Sequence, residues 1–280
     1  MNNQGGIVDD TILNQQQDHV YIVSNAGCAD KDLAYLQQHL KAFKGDAHLE
    51  VIQDQSLLAL QGPKAAHVLE KLSGEALQSF AFMTTRQLKV KGIKVHCSRS
   101  GYTGEDGFEI QVPSTHAADL AQLLLKETDV KWAGLGARDS LRLEAGMCLY
   151  GHDIDDTTTP VEAGLTWTIG KRRRAEGGFL GASKVQDQLK QGSPRKRVGL
   201  WVEGAPAREG SEVFDADGNA VGKVTSGGPS PNLKMRNIAM AYVKSGHHKS
   251  GTPLQVKVRN RMQKAVVTKM PFVPSHYHKV

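Results

Sequence analysis

Apolar and polar residues follow two periods along this chain, and the period switches from segment to segment. The β-branched and aromatic run His19 to Val23 predicts a strand. After Asp30, a helix-capping residue type, Leu33, Leu36, Leu40 and Phe43 fall on one helical stripe that stops at Gly45. Residues 48–53 and 57–61 predict two more strands. Gly62-Pro63 opens a predicted helix through Val68, Leu69 and Leu72, closed by Gly74, with the proline suited to the first helical turn. Residues 87–98 predict a strand pair turning at Gly92, and Phe108 to Val112 a further strand. Helices are expected over 114–127, with Leu120, Leu123 and Leu124 inward, and over 137–145, stopped by Gly146. Hairpins interspersed with helices predict an α+β fold with mainly antiparallel sheets.

From about residue 171 the pattern becomes that of short strands. A short helix is expected at 182–190, then strands at 197–203, 212–214, 221–224, 238–243, 254–258 and 262–270. Asp217-Gly218 marks a hairpin between the second and third of these. Five or six antiparallel strands in about ninety residues predict a small barrel or sandwich. The expected domains are therefore 1–170, a basic linker at 171–195, and a barrel at 196–280.

Composition narrows the class. With 280 residues, 39% apolar and 23% charged, the chain has the balance of a globular protein rather than a disordered one. No apolar run reaches 18 residues, so no membrane span is expected. Met1 to Gly6 has neither the basic nor the apolar region of a signal or transit peptide. Cys28, Cys97 and Cys148 form no CxxC pair, which argues against a disulfide framework and for a reduced compartment. Charge is split unevenly. Residues 1–170 carry 14 Lys and Arg against 22 Asp and Glu, whereas residues 171–280 carry 21 against 7. The switch falls at Lys171-Arg172-Arg173-Arg174, and a second basic run follows at Arg195-Lys196-Arg197. Such asymmetry fits an acidic partner, or simply two solvated faces.

Three segments hold candidate chemistry. Gly5-Gly6-Ile7-Val8-Asp9-Asp10 places two acids after a flexible turn. On a strand they point to opposite faces, so that one is solvated and the other faces a pocket; the alternative is a turn acid capping its own backbone. Gly101-Tyr102-Thr103-Gly104-Glu105-Asp106-Gly107-Phe108-Glu109 has the glycine content that lets a ligand approach the backbone, but no phosphate-loop ending. Glu109, between two apolar neighbours, faces either solvent or a pocket where its two oxygens match two parallel N–H donors. Arg138 and Arg142 stand one helical turn apart and call for an anion nearby, from a salt-bridge network or a ligand. The eleven histidines form no ligand pair, no GxSxG occurs, and no GxGxxG follows a strand, so neither a metal, a serine nucleophile nor a dinucleotide is expected.

These segments, with Ser24-Asn25-Ala26-Gly27, Gly136 to Gly146 and Lys269-Met270-Pro271-Phe272-Val273-Pro274, occur together in one known order. Over essentially the whole chain the sequence resembles the aminomethyltransferases, the T-proteins of the glycine cleavage system, mitochondrial members in particular. The resemblance implies interleaved antiparallel α+β folate-binding domains followed by a β-barrel-like domain. It implies transfer of a one-carbon unit from the S-aminomethyl dihydrolipoyl arm of H-protein to tetrahydrofolate, with release of ammonia and formation of 5,10-methylenetetrahydrofolate. By motif, Asp10 is the catalytic carboxylate, Glu109 reads the pteridine edge, Arg138 contacts folate, and Tyr277 contacts substrate. Tyr21, Asn25 and Tyr102 line the pocket. Tetrahydrofolate is the implied co-substrate, without metal or flavin. The implied partners are lipoylated H-protein and the other components of the system, with no nucleic acid and no membrane. The implied location is the mitochondrial matrix, with a bacterial cytoplasm as the alternative.

The sequence departs from the family in one respect. The family extends well ahead of the Gly5-Gly6 motif, through a segment carrying Phe-Asp-Val-Ser-His, so that the first domains are expected to be N-terminally truncated with apolar sheet faces exposed. This leaves a competing expectation: a non-catalytic folate-binding or H-protein-binding fragment of the same family. An RNA-binding role for the basic half lacks the Gly-aromatic motif that such proteins use. The folate-dependent demethylating enzymes share this folate domain, but no flavin fingerprint occurs here.

Overall fold

The computed structural model describes residues 1–280 and divides into two compact units, each discontinuous in sequence. One, the barrel unit, comprises residues 1–13, 22–36 and 146–273; the other, the sheet unit, comprises 14–21, 37–145 and 274–280. Strands β1 (Ile12–Gln15) and β2 (Val20–Val23) form a hairpin, and α1 (Ala29–Ala42) follows.

The sheet unit is built on β3 (Gln55–Gln61), β4 (Thr85–Val90), β5 (Ile93–Ser98) and β6 (Gly107–Pro113), all antiparallel in the order β3-β6-β5-β4. Alternation decides which face is buried. Phe108, Ile110 and Val112 point into the core, and Glu109 and Gln111 point the other way. Helices α2 (Ala65–Ser73) and α3 (Ser114–Leu125) cover the apolar face with Val68, Leu69, Leu72, Leu120 and Leu124, each burial worth roughly 1.5–3 kcal/mol. Helix α4 (Leu135–Glu144) completes the unit.

Arg99 organises the end of this sheet. Only 2% exposed, it grips Asp106 through two bonds of 2.8 and 2.5 Å. It also donates to the carbonyls of Leu77 and Phe80 at 2.8 and 2.7 Å. The glycine-rich loop 101–107 is thereby held at both ends. A Cβ on Gly101 would lie 1.9 Å from Gln61 Oε1. The close backbone approach that its glycines permit brings the loop onto the Gln61 amide, which donates to Ser100 O at 2.9 Å.

The barrel unit contains β7 (Arg195–Val202), β8 (Glu212–Phe214), β9 (Ala220–Ser230), β10 (Arg236–Lys244), β11 (Pro253–Val258) and β12 (Arg261–Thr268). They close in the order β10-β7-β12-β11-β8-β9, which removes exposed sheet edges. Val198, Leu200, Val202, Val256 and Val267 fill the interior, and Ala239 and Ala241 keep it narrow. The antiparallel α+β and barrel architecture expected from the sequence is the one observed. Residues 171–195 carry α5 (Lys171–Glu176) and α6 (Ala182–Gln191), of which α5 has no apolar stripe to announce it.

Two expected elements are absent or displaced. Residues 48–53 form no strand, because β3 has β6 as its single neighbour; Val51 and Ile52 stay about half exposed at 50% and 51%. Pro63 lies ahead of α2 rather than in its first turn.

Candidate functional site

In the barrel unit the chemistry gathers around Asn25. Gly6 is pressed so closely on the 153–158 loop that a Cβ there would sit 1.7 Å from Asp156 O. The Ile7 N–H is shared between Asp155 O at 3.1 Å and Thr158 O at 3.0 Å. Residues 7–11 are therefore fixed by a loop, not by a sheet, and the strand geometry expected for Asp9 and Asp10 does not form. Instead of facing opposite ways, both acids converge on one amide. Asn25 Nδ2 donates to Asp9 Oδ1 at 2.9 Å and to Asp10 Oδ1 at 2.8 Å, and Asn25 N–H reaches Asp9 Oδ2 at 3.3 Å.

Asp10 is reachable from solvent, yet surrounding protein strips part of its hydration. That desolvation, reinforced by the like charge of Asp9 and only partly offset by Asn25, raises its pKa above the ordinary carboxylate range. Burial pushes Asp9 the same way, but hydrogen bonds from Asp32 and Asn25 outweigh it and hold Asp9 below that range. Lys31 braces the same segment. Its Nζ donates to Val8 O and to the Tyr150 hydroxyl at 2.8 Å, lies 3.9 Å from the Tyr150 ring centre, and Tyr150 in turn donates to Ile7 O at 3.1 Å.

The sheet unit holds a second group. Ser100 Oγ donates to Glu109 Oε2 at 3.1 Å. Tyr21 packs edge-on to His96 at 4.9 Å, and its phenol is raised by burial and then by the charge of Glu109. Burial also lowers His96, helped by His19, which favours the neutral ring. Arg138, exposed on α4, lies with its guanidinium 4.8 Å from the Tyr102 ring centre. Arg142, one turn on, is 2% exposed and tied to Asp139 at 2.7 Å, so the two arginines differ in kind: one is structural, the other open. Tyr277 stacks on Phe82 at 4.2 Å and 17°, and burial raises its phenol despite a hydrogen bond with Ser275. The tail is fastened beside it, with Phe82 N–H donating to His278 O at 2.9 Å and His276 N–H to Gly104 O at 2.8 Å.

Asp10 and Asn25 thus lie together in one unit, and Tyr21, Tyr102, Glu109, Arg138 and Tyr277 belong to the other. Sequence reasoning missed Asp32, Ser100, His96 and Tyr150. Asp32 carried a usable signal, since it occupies the i−4 position to Leu36 on the stripe of α1.

An antiparallel α+β unit and a closed six-stranded barrel define a two-part T-protein-type fold. Residues 1–173 match the family model described as the GCVT N-terminal domain, and 195–274 match the glycine cleavage T-protein C-terminal barrel domain. The mitochondrial aminomethyltransferase of Mesembryanthemum crystallinum is 52% identical over 99% of this chain and 69% of its own. The probable mitochondrial aminomethyltransferase of Schizosaccharomyces pombe is 52% identical over 99% of this chain and 72% of its own. The crystal structure of glycine cleavage system aminomethyltransferase T from Bartonella henselae superposes with a TM-score of 0.91 at 40% identity, over 99% of this chain and 75% of that one. The chain belongs to the aminomethyltransferase family of the glycine cleavage system.

Proposed function

We propose that this chain takes the one-carbon unit from the S-aminomethyl dihydrolipoyl arm of H-protein and passes it to tetrahydrofolate. The methylene carbon leaves both sulfur and nitrogen and bridges N5 and N10 of folate. The two folate N–H protons end on the thiol and on ammonia. Carbon stays at the formaldehyde level throughout, so the step needs no redox cofactor such as a flavin. The observation that carries this reading is the Asp9–Asn25–Asp10 cluster in the family's Gly5 to Asp10 motif. A carboxylate held by a neutral amide is suited to orient the folate amine and to stabilise cationic iminium character as ammonia leaves. The raised pKa of Asp10 also favours its taking a proton from a folate nitrogen.

Glu109 is proposed to read the pteridine edge, with Ser100 steadying it. Arg138 is proposed to contact folate, and Tyr277 the substrate, with Tyr21, Asn25 and Tyr102 lining the site. Residues 1–170 would form the folate-binding part and 196–280 the barrel domain. The partners are lipoylated H-protein and the rest of the glycine cleavage system, and the names of the relatives support the mitochondrial matrix. No helix is long and apolar enough to cross a membrane.

Tetrahydrofolate binding by calorimetry, followed by turnover with aminomethylated H-protein, tests this. Losing a charged hydrogen bond costs on the order of 1.5–3 kcal/mol, so Glu109→Ala should raise Kd about 10- to 100-fold. Asp10→Ala should bind folate within a few-fold of the parent yet lose at least about 100-fold in turnover. Unchanged folate binding in Glu109→Ala would sink its assignment; binding without any turnover in the parent chain would favour the non-catalytic alternative.

A further inference from the structure

Residues 274–280 contain no helix or strand, so only contacts with the rest of the sheet unit hold them in place. Those contacts gather on either side of Tyr277. On one side, His276 forms a parallel bridge with Glu105, its N–H donates to Gly104 O at 2.8 Å, and its ring Nδ1 meets Glu105 Oε1 at 2.7 Å. On the other, His278 O accepts the Phe82 N–H at 2.9 Å, and its ring Nε2 meets Gln78 O at 2.8 Å. A carboxylate and a carbonyl only accept hydrogen bonds, so His276 carries hydrogen on Nδ1 and His278 on Nε2. The tail thus joins the 74–84 loop to the glycine-rich loop. Buried Arg99 already ties those two loops together, because it donates to Leu77 O, Phe80 O and Asp106. The spacing that the tail has to match is therefore fixed. Tyr277 lies between the two attachments, its ring stacked on Phe82 at 4.2 Å and 17°.

We propose that His276 and His278 are positioning residues: they pin the tail on both sides of Tyr277 and so hold its phenol, stacked on Phe82, where it meets the substrate. The inference deepens the reading of Tyr277 as a substrate-contacting residue and rests on it. Each side-chain attachment is modest alone. The His276–Glu105 pair leaves 62% of the histidine side chain open to solvent, and exposed pairs of this kind add little. Losing both, however, leaves a segment with no secondary structure of its own on two main-chain bonds and one ring contact. The fraction of molecules with Tyr277 in place then falls, and apparent affinity falls by the same fraction. The two ring nitrogens also prescribe the replacements that keep the hold. The amide of asparagine stands near Nδ1 of a histidine and that of glutamine near Nε2, so His276→Asn with His278→Gln retains both donors.

The experiment has two arms. In the first, the full chain is labelled with ¹³C in its tyrosine rings, and the Tyr277 resonance is assigned by its loss in Tyr277→Phe. The stacked Phe82 ring should shift that resonance away from the position of a free tyrosine. The shift should collapse when both histidines become alanine and persist when they become His276→Asn and His278→Gln. A resonance that stays in place in the double alanine variant would overturn the proposal. In the second arm, kcat and KM are measured for tetrahydrofolate and aminomethylated H-protein. The double alanine variant, checked by circular dichroism for folding, should raise KM for one or both substrates about tenfold, with kcat within about threefold of the parent. The asparagine and glutamine pair should restore KM to within about threefold. In a Tyr277→Ala background the two alanines should cost less than about twofold more. An equal loss with and without Tyr277 would make the histidines merely structural and overturn the proposal. If the double alanine variant does not fold, His278→Ala alone takes its place, with about a threefold rise in KM expected and a parental KM overturning the role. The two readings fail separately, because the NMR arm needs no turnover. A Tyr277 resonance that moves with no change in either KM refutes the substrate contact of Tyr277, and the proposal with it; an unmoved resonance refutes the histidine attachments alone.

Discussion

Replacing Arg99 by leucine removes more from the sheet unit than a single side chain suggests. Its guanidinium meets Asp106 twice, two main-chain carbonyls, and the face of Phe108 at 5.1 Å. The Arg99 side chain is 3% exposed and that of Asp106 16%, so solvent screens the pair only weakly. Breaking such a pair strands Asp106 as an uncompensated charge, at about 3–5 kcal/mol. The carbonyls of Leu77 and Phe80 lose a donor as well, each at roughly 1–3 kcal/mol if water does not replace it. Relaxation absorbs part of this, and a net loss of about 4 kcal/mol is the expectation. Since a domain is stable by only about 5–15 kcal/mol, that is a large share. Native-state hydrogen exchange reads the sheet unit on its own. The amides of β5 and β6 should exchange roughly a thousand-fold faster in Arg99→Leu, while those of β7 to β12 hold their rates. Adding Asp106→Leu removes the stranded charge and should recover about 2 kcal/mol. Exchange within threefold of the parent, or a double variant as labile as the single one, would refute the reasoning.

Other expectations are quickly stated. Gly6→Ala forces a Cβ into Asp156 O, so it should displace Asp9 and Asp10 and cut turnover at least about tenfold; turnover within twofold of the parent would contradict that account of the motif. Cys97 is wholly buried, and burial pushes its thiol up to about 12, so at pH 8 a thiol reagent should modify Cys28 well before Cys97. Peptide mapping of the labelled protein checks the order. Reversing Arg172 and Arg173 to glutamate should slow transfer from H-protein at low salt and matter less at high salt. Stopped-flow rates at two ionic strengths decide it, and equal rates at low salt would remove α5 from the docking surface.

The sheet and the barrel were legible because alternation and turn residues mark them locally. Phe108, Ile110 and Val112 bury one face of β6, and Asp217-Gly218 lies between β8 and β9 as its dipeptide predicts. Residues 48–53 read as a strand for the same local reason, but a strand needs a neighbour, and the sequence does not say that β3 pairs only with β6. The Asp9-Asp10 pair failed in the opposite way. Its strand-like alternation suggested two faces, whereas Gly6 and the 153–158 loop bend the chain so that Asn25, fifteen and sixteen residues on, collects both acids. Long-range donors of this kind leave no spacing to read. Asp32 was hidden for a related reason: an acid on an amphipathic helix passes as solvated until the helix is seen to bury it.

Net charge is a poor guide to a docking surface until each basic group is followed to its partner. The C-terminal 110 residues hold 21 Lys and Arg against 7 Asp and Glu, but the run Arg195-Lys196-Arg197 is spent within the barrel unit. Arg195 donates to Glu162 at 3.1 Å and lies 4.7 Å from the Tyr242 ring centre. Lys196 donates to Val161 O, and Arg197 to Ala163 O and Gly146 O. These side chains are half-buried fasteners, and their removal should destabilise the unit rather than change an association rate. The run on α5 is different. Lys171, Arg172 and Arg173 are exposed, and the one ion pair there, Arg172 with Glu176 at 2.9 Å, is a surface pair with little net worth. Of the two basic clusters that the sequence offers, the structure leaves this one with its charge directed to solvent, and long-range attraction of an acidic carrier depends on charge of that kind.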